Sequence, residues 1–313
     1  MKTTLIAAGI ATLMASSALA TTIGVSMAVF DDNFLTVLRN GIQQDAKKMG
    51  VKVQVEDAKN DVAKQLNQIK NFIASGVDAI IVNPVDTSAT QAMTNAAAQA
   101  KVPLVYVNRQ PINVDTLPAT QAFVASNEKD SGTLETMEIC KLLKAEGKTS
   151  ANVYVMEGQL SNQAAVQRTK DIHDVIGSDK CGVKINIIDQ QTANWSRDQA
   201  QNLMTNWLST NKPFDAVIAN NDEMAIGAIQ AMKAAHVDMK KVLVGGIDAT
   251  QDGLAAMQAG DLSVTVFQNA AGQGAGSLEA AIKLSKGEKV AQKVYVPFEL
   301  VTPANMAKYM KKN

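Results

Sequence analysis

Short apolar runs in this chain end, one after another, in amides, single carboxylates and an occasional arginine. Phe30, Asp31, Asp32, Asn33 and Phe34 follow the first run, Asn83 the third, and Asn108-Arg109 the fourth. Further along, the corresponding ends carry Glu157 and Gln159, Asn194-Trp195, Asn220-Asn221-Asp222, Asp248, and Gln268-Asn269. A carboxylate accepts the paired hydroxyls of a vicinal diol, an amide both donates and accepts, and a guanidinium donates in a fork. Aromatic faces such as Phe34 and Trp195 can cover the C–H faces of a ring whose polar edge is met by those groups. The inventory therefore suits recognition of a small polyhydroxylated ring.

Residue types that break bonds are sparse. Both histidines, His173 and His236, fall in helical stretches away from the strand ends. There is no Gly-x-Ser-x-Gly elbow, His-Glu-x-x-His pair or phosphate-binding Gly-x-x-x-x-Gly-Lys loop. An enzyme would have to use Asp32 and Asp248 as an acid–base pair, with no motif in support. The Gly272 to Gly276 run lacks dinucleotide-binding spacing and reads as close helix packing. Asp222, directly before a helical stretch, reads as a helix cap. Asp248 and Arg109 follow buried strands without a local partner and read as contacts. Trp207 is spaced helically with Leu203 and reads as core.

Composition removes other classes. The 313 residues carry 30 Lys+Arg against 30 Asp+Glu, so there is no electrostatic excess for a polyanion, and no nucleic-acid partner is expected. Two His and two distant Cys argue against a zinc or iron–sulfur site, and no cofactor is expected. With 46% hydrophobic and 19% charged residues the chain is globular, and its length allows two cores.

The first twenty residues read as a secretory signal peptide: Lys2, an apolar run from Leu5 to Leu13 too short to span a bilayer, and Ala18-Leu19-Ala20 before a cut after Ala20. The mature chain is then one unit negative and exported. An oxidising compartment permits a Cys140–Cys181 disulfide.

From Thr22 onward strands and helices alternate, the pattern of crossover units in a parallel sheet. Strands are expected at Thr22 to Val29, Val51 to Asp57, Asp78 to Val82 and Leu104 to Val107, with helices between. The alternation resumes after Ser126. Gln65 to Ile73 recurs in register as Ala200 to Leu208, and Asp78 to Asn83 as Asp215 to Asn220. The chain thus reads as two similar open α/β lobes with strand carboxyl ends facing a shared cleft. The expected division is residues 1–20 as leader, 21–125 plus 269–297 as the amino-terminal lobe, and 126–268 plus 298–313 as the carboxy-terminal lobe. The chain would then cross between lobes three times, forming a hinge.

At Asn83-Pro84-Val85-Asp86, Val107-Asn108-Arg109-Gln110, Asn220 to Gly227 and Gly246 to Thr250, the sequence resembles the periplasmic sugar-binding proteins of the ribose and galactose type, the extracytoplasmic receptors of ABC importers. Asp31 to Leu35, Tyr106 to Pro111 and Thr192 to Arg197 are similar to the inositol- and rhizopine-binding proteins within that group. The resemblance implies the type I periplasmic binding fold, a monomer, a membrane ABC permease as partner, and no catalysis. It places ligand contacts at Phe34, Asn108, Arg109, Arg168, Trp195, Asn221, Asp248 and Gln268. Arg168 is not a strand-end residue and enters through the resemblance alone. The ribose-type pattern has Asp-Arg after the fourth strand and Asn-Pro-Phe-Phe after the first. Here Asn108-Arg109 and Asp32-Asn33-Phe34-Leu35 stand instead, which favours a cyclitol such as inositol or rhizopine over an aldose such as ribose, xylose or galactose, and adds Asp32 to the site. A sugar-responsive transcription regulator would share the fold but needs a DNA-binding helix pair where the leader stands.

Overall fold

The computed structural model describes residues 21–313; the expected leader and its cleavage point lie outside the described residues. The first sheet is built from β1 (Thr22–Met27), β2 (Lys52–Asp57), β3 (Ala79–Val82), β4 (Leu104–Val107) and β5 (Gln121–Ala125), with α1 (Asn33–Lys48), α2 (Val62–Ala74) and α3 (Thr90–Ala100) between them. The second uses β6 (Ser150–Glu157), β7 (Lys184–Thr192), β8 (Ala216–Ala219) and β9 (Leu243–Gly245). With it come α4 (Glu128–Ala145), α5 (Gln163–Ile176), α6 (Arg197–Ser209), α7 (Asp222–Ala234) and α8 (Gln251–Gln258). The chain finishes with β10 (Thr265–Phe267), α9 (Ala270–Ser285), β11 (Lys293–Tyr295) and β12 (Glu299–Val301).

Every pairing in the first sheet, ordered β2-β1-β3-β4-β5-β11, is parallel. The second runs β7-β6-β8-β9 in parallel and continues through single parallel bridges, Gly245 to Val264 and Asp248 to Phe267, toward β10, which pairs antiparallel with β12. Strands β1, β3, β4 and β8 are buried almost throughout, as expected of parallel strands covered by helices on both faces. The internal repeat occupies equivalent places: α2 leads into β3 beside the first strand of its sheet, and α6 leads into β8 beside β6.

Helix starts follow local chemistry. Asp32, Asp61, Ser196, Asn221, Thr250 and Asn269 each accept a backbone N–H with their side chains, closing the first turns. Two of these caps, Asp32 and Asn221, also line the cavity between the sheets. The Gly-rich run does serve packing: a Cβ on Gly274 would meet the Leu38 carbonyl at 3.3 Å, so its absence lets α9 lie against α1.

The chain passes from the first sheet to the second after β5, returns after β10, and leaves again after β11. Three connecting segments, around Ser126–Glu128, Gln268–Asn269 and Val296–Phe298, therefore join the two sheets. Two elements escaped the sequence pattern. Neither strand β5 nor β12 was expected; the segment after Phe298 forms β12 and packs Tyr309 against Phe267 at a ring separation of 5.0 Å. The disulfide is present: Cys140 on α4 is bonded to Cys181 in the loop before β7.

Candidate functional site

The carboxyl ends of both sheets face one cavity of about 390 Å³, counting its mouth. All nine residues singled out in the sequence line it: Asp32, Phe34, Asn108 and Arg109 from the first lobe, Arg168, Trp195, Asn221, Asp248 and Gln268 from the second. Leu35, Glu128, Asn162 and Ala164 complete the wall. Through Asp32, Arg109 and Trp195 the cavity opens into a wider polar vestibule that includes Asp31, Asn33, Gln159 and Asn194.

Arg168 is the most elaborately held member. Its Nε and Nη2 donate to the two carboxylate oxygens of Glu128 at 2.8 and 3.0 Å, and Nη1 donates to the Asn220 carbonyl at 2.7 Å. Nη2 also reaches Gln268 Oε1 at 3.3 Å, while Asp248 Oδ1 stands 3.9 Å from Nη1. Burial alone would pull the guanidinium pKa down, but Glu128, Asp248 and Glu135 outweigh it, and Arg168 is held charged above its ordinary value. Sequence reasoning missed Glu128. It stands in the first turn of a helix, where an acid is commonplace, and its partner lies forty residues away on another helix.

Arg109 is buried differently. Its Nη1 donates to the Pro84 carbonyl at 3.0 Å. Burial lowers its pKa to about 10, with Asp32 pulling the other way, so it stays cationic at neutral pH. Asp32 caps α1 by accepting from Leu35 N at 2.8 Å, and burial raises its pKa against that bond and against Arg109. Burial pushes the Asp248 carboxyl well above the usual carboxylate range despite Arg168. Asp248 has φ of 123°, a conformation few non-glycine residues adopt. Its carbonyl and that of Gln268 both accept from Asn313 Nδ2 at 2.7 Å, which fixes the loop that presents both side chains.

Trp195 stands in a left-handed turn, with φ of 53° at Asn194 and 65° at Trp195 itself. The indole lies flat against Gly158 and faces the Arg168 guanidinium at 5.5 Å. Trp195 Nε1, Gln268 Nε2 and Asn162 Oδ1 are buried and have no hydrogen-bond partner among the described residues. Buried polar atoms are almost always paired, so three orphans lining one cavity mark it as built for a partner with both donors and acceptors.

Asn83, Asn220 and Asp222 among the other strand-end residues serve the scaffold. Asn83 donates to the Val107 carbonyl at 3.2 Å and supports Asn108, whereas Asn220 Oδ1 accepts from Gly158 N at 3.0 Å. The capping expectation for Asp222 is corrected: Asn221 caps α7, accepting from Met224 N at 3.0 Å. Asp222 is instead fully buried and accepts from Thr250 N at 2.8 Å, Thr250 Oγ1 at 3.2 Å and Thr265 Oγ1 at 2.6 Å, tying α7 to α8 and β10. Trp207 is core, stacked on Tyr154 at 4.4 Å. Among the described residues no group of His, Cys, Asp and Glu is arranged to hold a metal ion.

Known proteins resemble this chain in sequence and fold. The periplasmic binding protein domain matches residues 23–289. A Rhizobium meliloti protein provisionally named a rhizopine-binding protein is 63% identical over 314 residues, covering 100% of both chains. The ribose import binding protein of Bacillus subtilis is 33% identical over 283 residues, covering 90% of this chain and 87% of its own. The crystal structure of an ABC transporter solute-binding protein from Bacillus halodurans C-125 with bound myo-inositol is 39% identical and superposes with a TM-score of 0.86, over 94% of this chain and 98% of that one. Two parallel-sheet lobes, a polar cavity between their strand ends and these relatives together make the assignment: the chain belongs to the periplasmic binding protein family.

Proposed function

We propose that this protein is the substrate-binding component of an ABC importer and that it captures a cyclitol, inositol or an amino-inositol such as rhizopine, between its lobes. The observation that carries the reading is the cavity itself, walled by Arg109, Arg168, Asp32, Asp248 and four amides with Phe34 and Trp195 beside them. A cyclitol offers hydroxyls around its whole rim and apolar C–H faces above and below, and this wall answers both. The relatives whose names or bound ligands are rhizopine and myo-inositol support the same class.

The mechanism follows from the crossings. Lobes of residues 21–125 with 269–297 and of 126–268 with 298–313 rotate about the three connecting segments, and ligand favours the closed arrangement by its greater affinity for it. Contacts across the cleft match a closed form: Thr87 N and Oγ1 donate to the Ser161 carbonyl at 3.0 and 3.1 Å, Gln163 N donates to Thr87 Oγ1 at 3.1 Å, and Asn33 Nδ2 donates to Glu223 at 2.7 Å. The protein acts as a periplasmic monomer after cleavage behind Ala20, hands its ligand to a membrane permease, and leaves the ligand chemically unchanged. Aldose binding is the second reading, favoured by the ribose relative. Calorimetric titration with inositols, amino-inositols, ribose, xylose and galactose tests the choice, with mass analysis of the recovered ligand. Tighter binding of an aldose than of any cyclitol overturns the ligand class, and a changed ligand mass overturns the absence of catalysis.

A further inference from the structure

Two buried polar hubs stand between the cleft and the three connecting segments. On the second-lobe side Arg168 meets all three segments at once: its hydrogen bonds to Glu128 and Gln268 reach the first and second, and its guanidinium lies 6.0 Å from the Phe298 ring on the third. On the first-lobe side the hub is Gln273, fully buried in the first turn of α9. Its Nε2 donates to Ser126 Oγ on the first segment at 3.0 Å, and its Oε1 accepts from Asn108 Nδ2 at 3.2 Å. Asn108 lines the cavity with φ of 66°, and asparagine is among the few residues that adopt this region readily.

A ligand-facing side chain on each side of the cleft is thus tied to the connecting segments by directional bonds, buried around Arg168 and part-buried at Asn108. Such bonds hold only in a narrow range of angles, and a rotation of one lobe against the other changes the relative setting of Ser126, Glu128 and Gln268. Filling the cleft fixes Asn108 and Arg168, and through their partners fixes the segments. We propose that Glu128 and Gln273 are positioning residues that couple occupancy of the cleft to lobe closure, a role that rests on the proposed capture function and goes beyond ligand contact.

The test places spin labels at the exposed positions Lys70 on α2 and Asn202 on α6 and measures their separation with and without saturating myo-inositol. Wild type should give one short, narrow distance when saturated. Glu128→Gln, Gln273→Met and Ser126→Ala should each retain a longer-distance population under saturation and weaken half-saturation by about tenfold, a usual size for coupling between sites. Ser126→Ala is the cleanest arm, because Ser126 does not line the cavity. Variants that calorimetry shows to be occupied, yet that close as fully as wild type, overturn the proposal. If wild type takes up no myo-inositol, the ligand reading fails by itself and the ligand-free distances decide: broader distributions in the variants support the coupling, and distributions identical to wild type overturn it.

Discussion

Gly158→Ala adds one methyl group beside the Trp195 indole and should cripple binding without unfolding the protein. A Cβ at position 158 would lie 2.1 to 2.3 Å from Trp195 Cη2, Cζ2 and Cζ3, whereas carbon atoms pack at roughly 3.5 to 4.0 Å, so a shift of about 1.5 Å is needed. The backbone at Gly158 is not in the left-handed region, so alanine itself is accommodated and the whole conflict falls on the ring. Trp195 is only half-buried and lines the cavity, so a ring displaced from Gly158 intrudes on the cleft. Losing the ring's stacking face and narrowing the cavity should cost about 1.4 to 2.8 kcal/mol, which is roughly 10- to 100-fold in dissociation constant. Calorimetry on Gly158→Ala measures this, and a melting temperature close to wild type separates it from misfolding. A double-mutant cycle sharpens the point: on a Trp195→Leu background the alanine should have almost no further effect. Wild-type affinity in Gly158→Ala, or an equal loss on both backgrounds, refutes the reasoning.

Three further outcomes are expected. Removing the Cys140–Cys181 disulfide opens a loop of sequence separation 41; the chain-entropy cost is about 4 kcal/mol, seen as a melting temperature lower by roughly 10 °C in Cys140→Ala/Cys181→Ala, with no change meaning that the bond does not constrain the unfolded chain. Thr87→Val removes the hydroxyl that both donates to Ser161 and accepts from Gln163 across the cleft, and stopped-flow dissociation should speed up by about tenfold, while an unchanged rate would show that these bonds do not hold the closed form. Burial raises the Asp222 carboxyl from 3.8 to about 7, so the native state holds this proton more tightly than the unfolded chain. Its contribution is fully present below about pH 4 and is lost as pH rises through about 7. Asp222→Asn should therefore flatten the fall of melting temperature between pH 5.5 and 8, and an undiminished slope would contradict this.

Much of the fold was legible because parallel strands covered on both faces are continuous apolar runs, and the helices between them carry their own stop signals, such as Gly50 and Gly76 at positive φ. Strand β5 was not, since Gln121-Ala122-Phe123-Val124-Ala125 follows a loop directly after β4 with no helix to announce it, and β12 acquires its identity only by pairing with β10. The strand-end rule found most of the site because ligand-facing groups must stand where the strands stop. It fails for residues whose role is set by a distant partner. Arg168 stands on a helix, Glu128 resembles any first-turn acid, Gln273 is hidden in a Gly-rich run, and Asp222 resembles a cap until Thr250 and Thr265 are seen on its oxygens.

The central claim is that a cyclitol is captured by strand-end groups of both lobes together. Titrating Arg109→Ala from the first lobe and Asp248→Ala from the second with the cyclitol that wild type binds tests it directly. Loss of measurable binding in each variant, with cooperative unfolding retained, is the predicted result; wild-type affinity in both would contradict it.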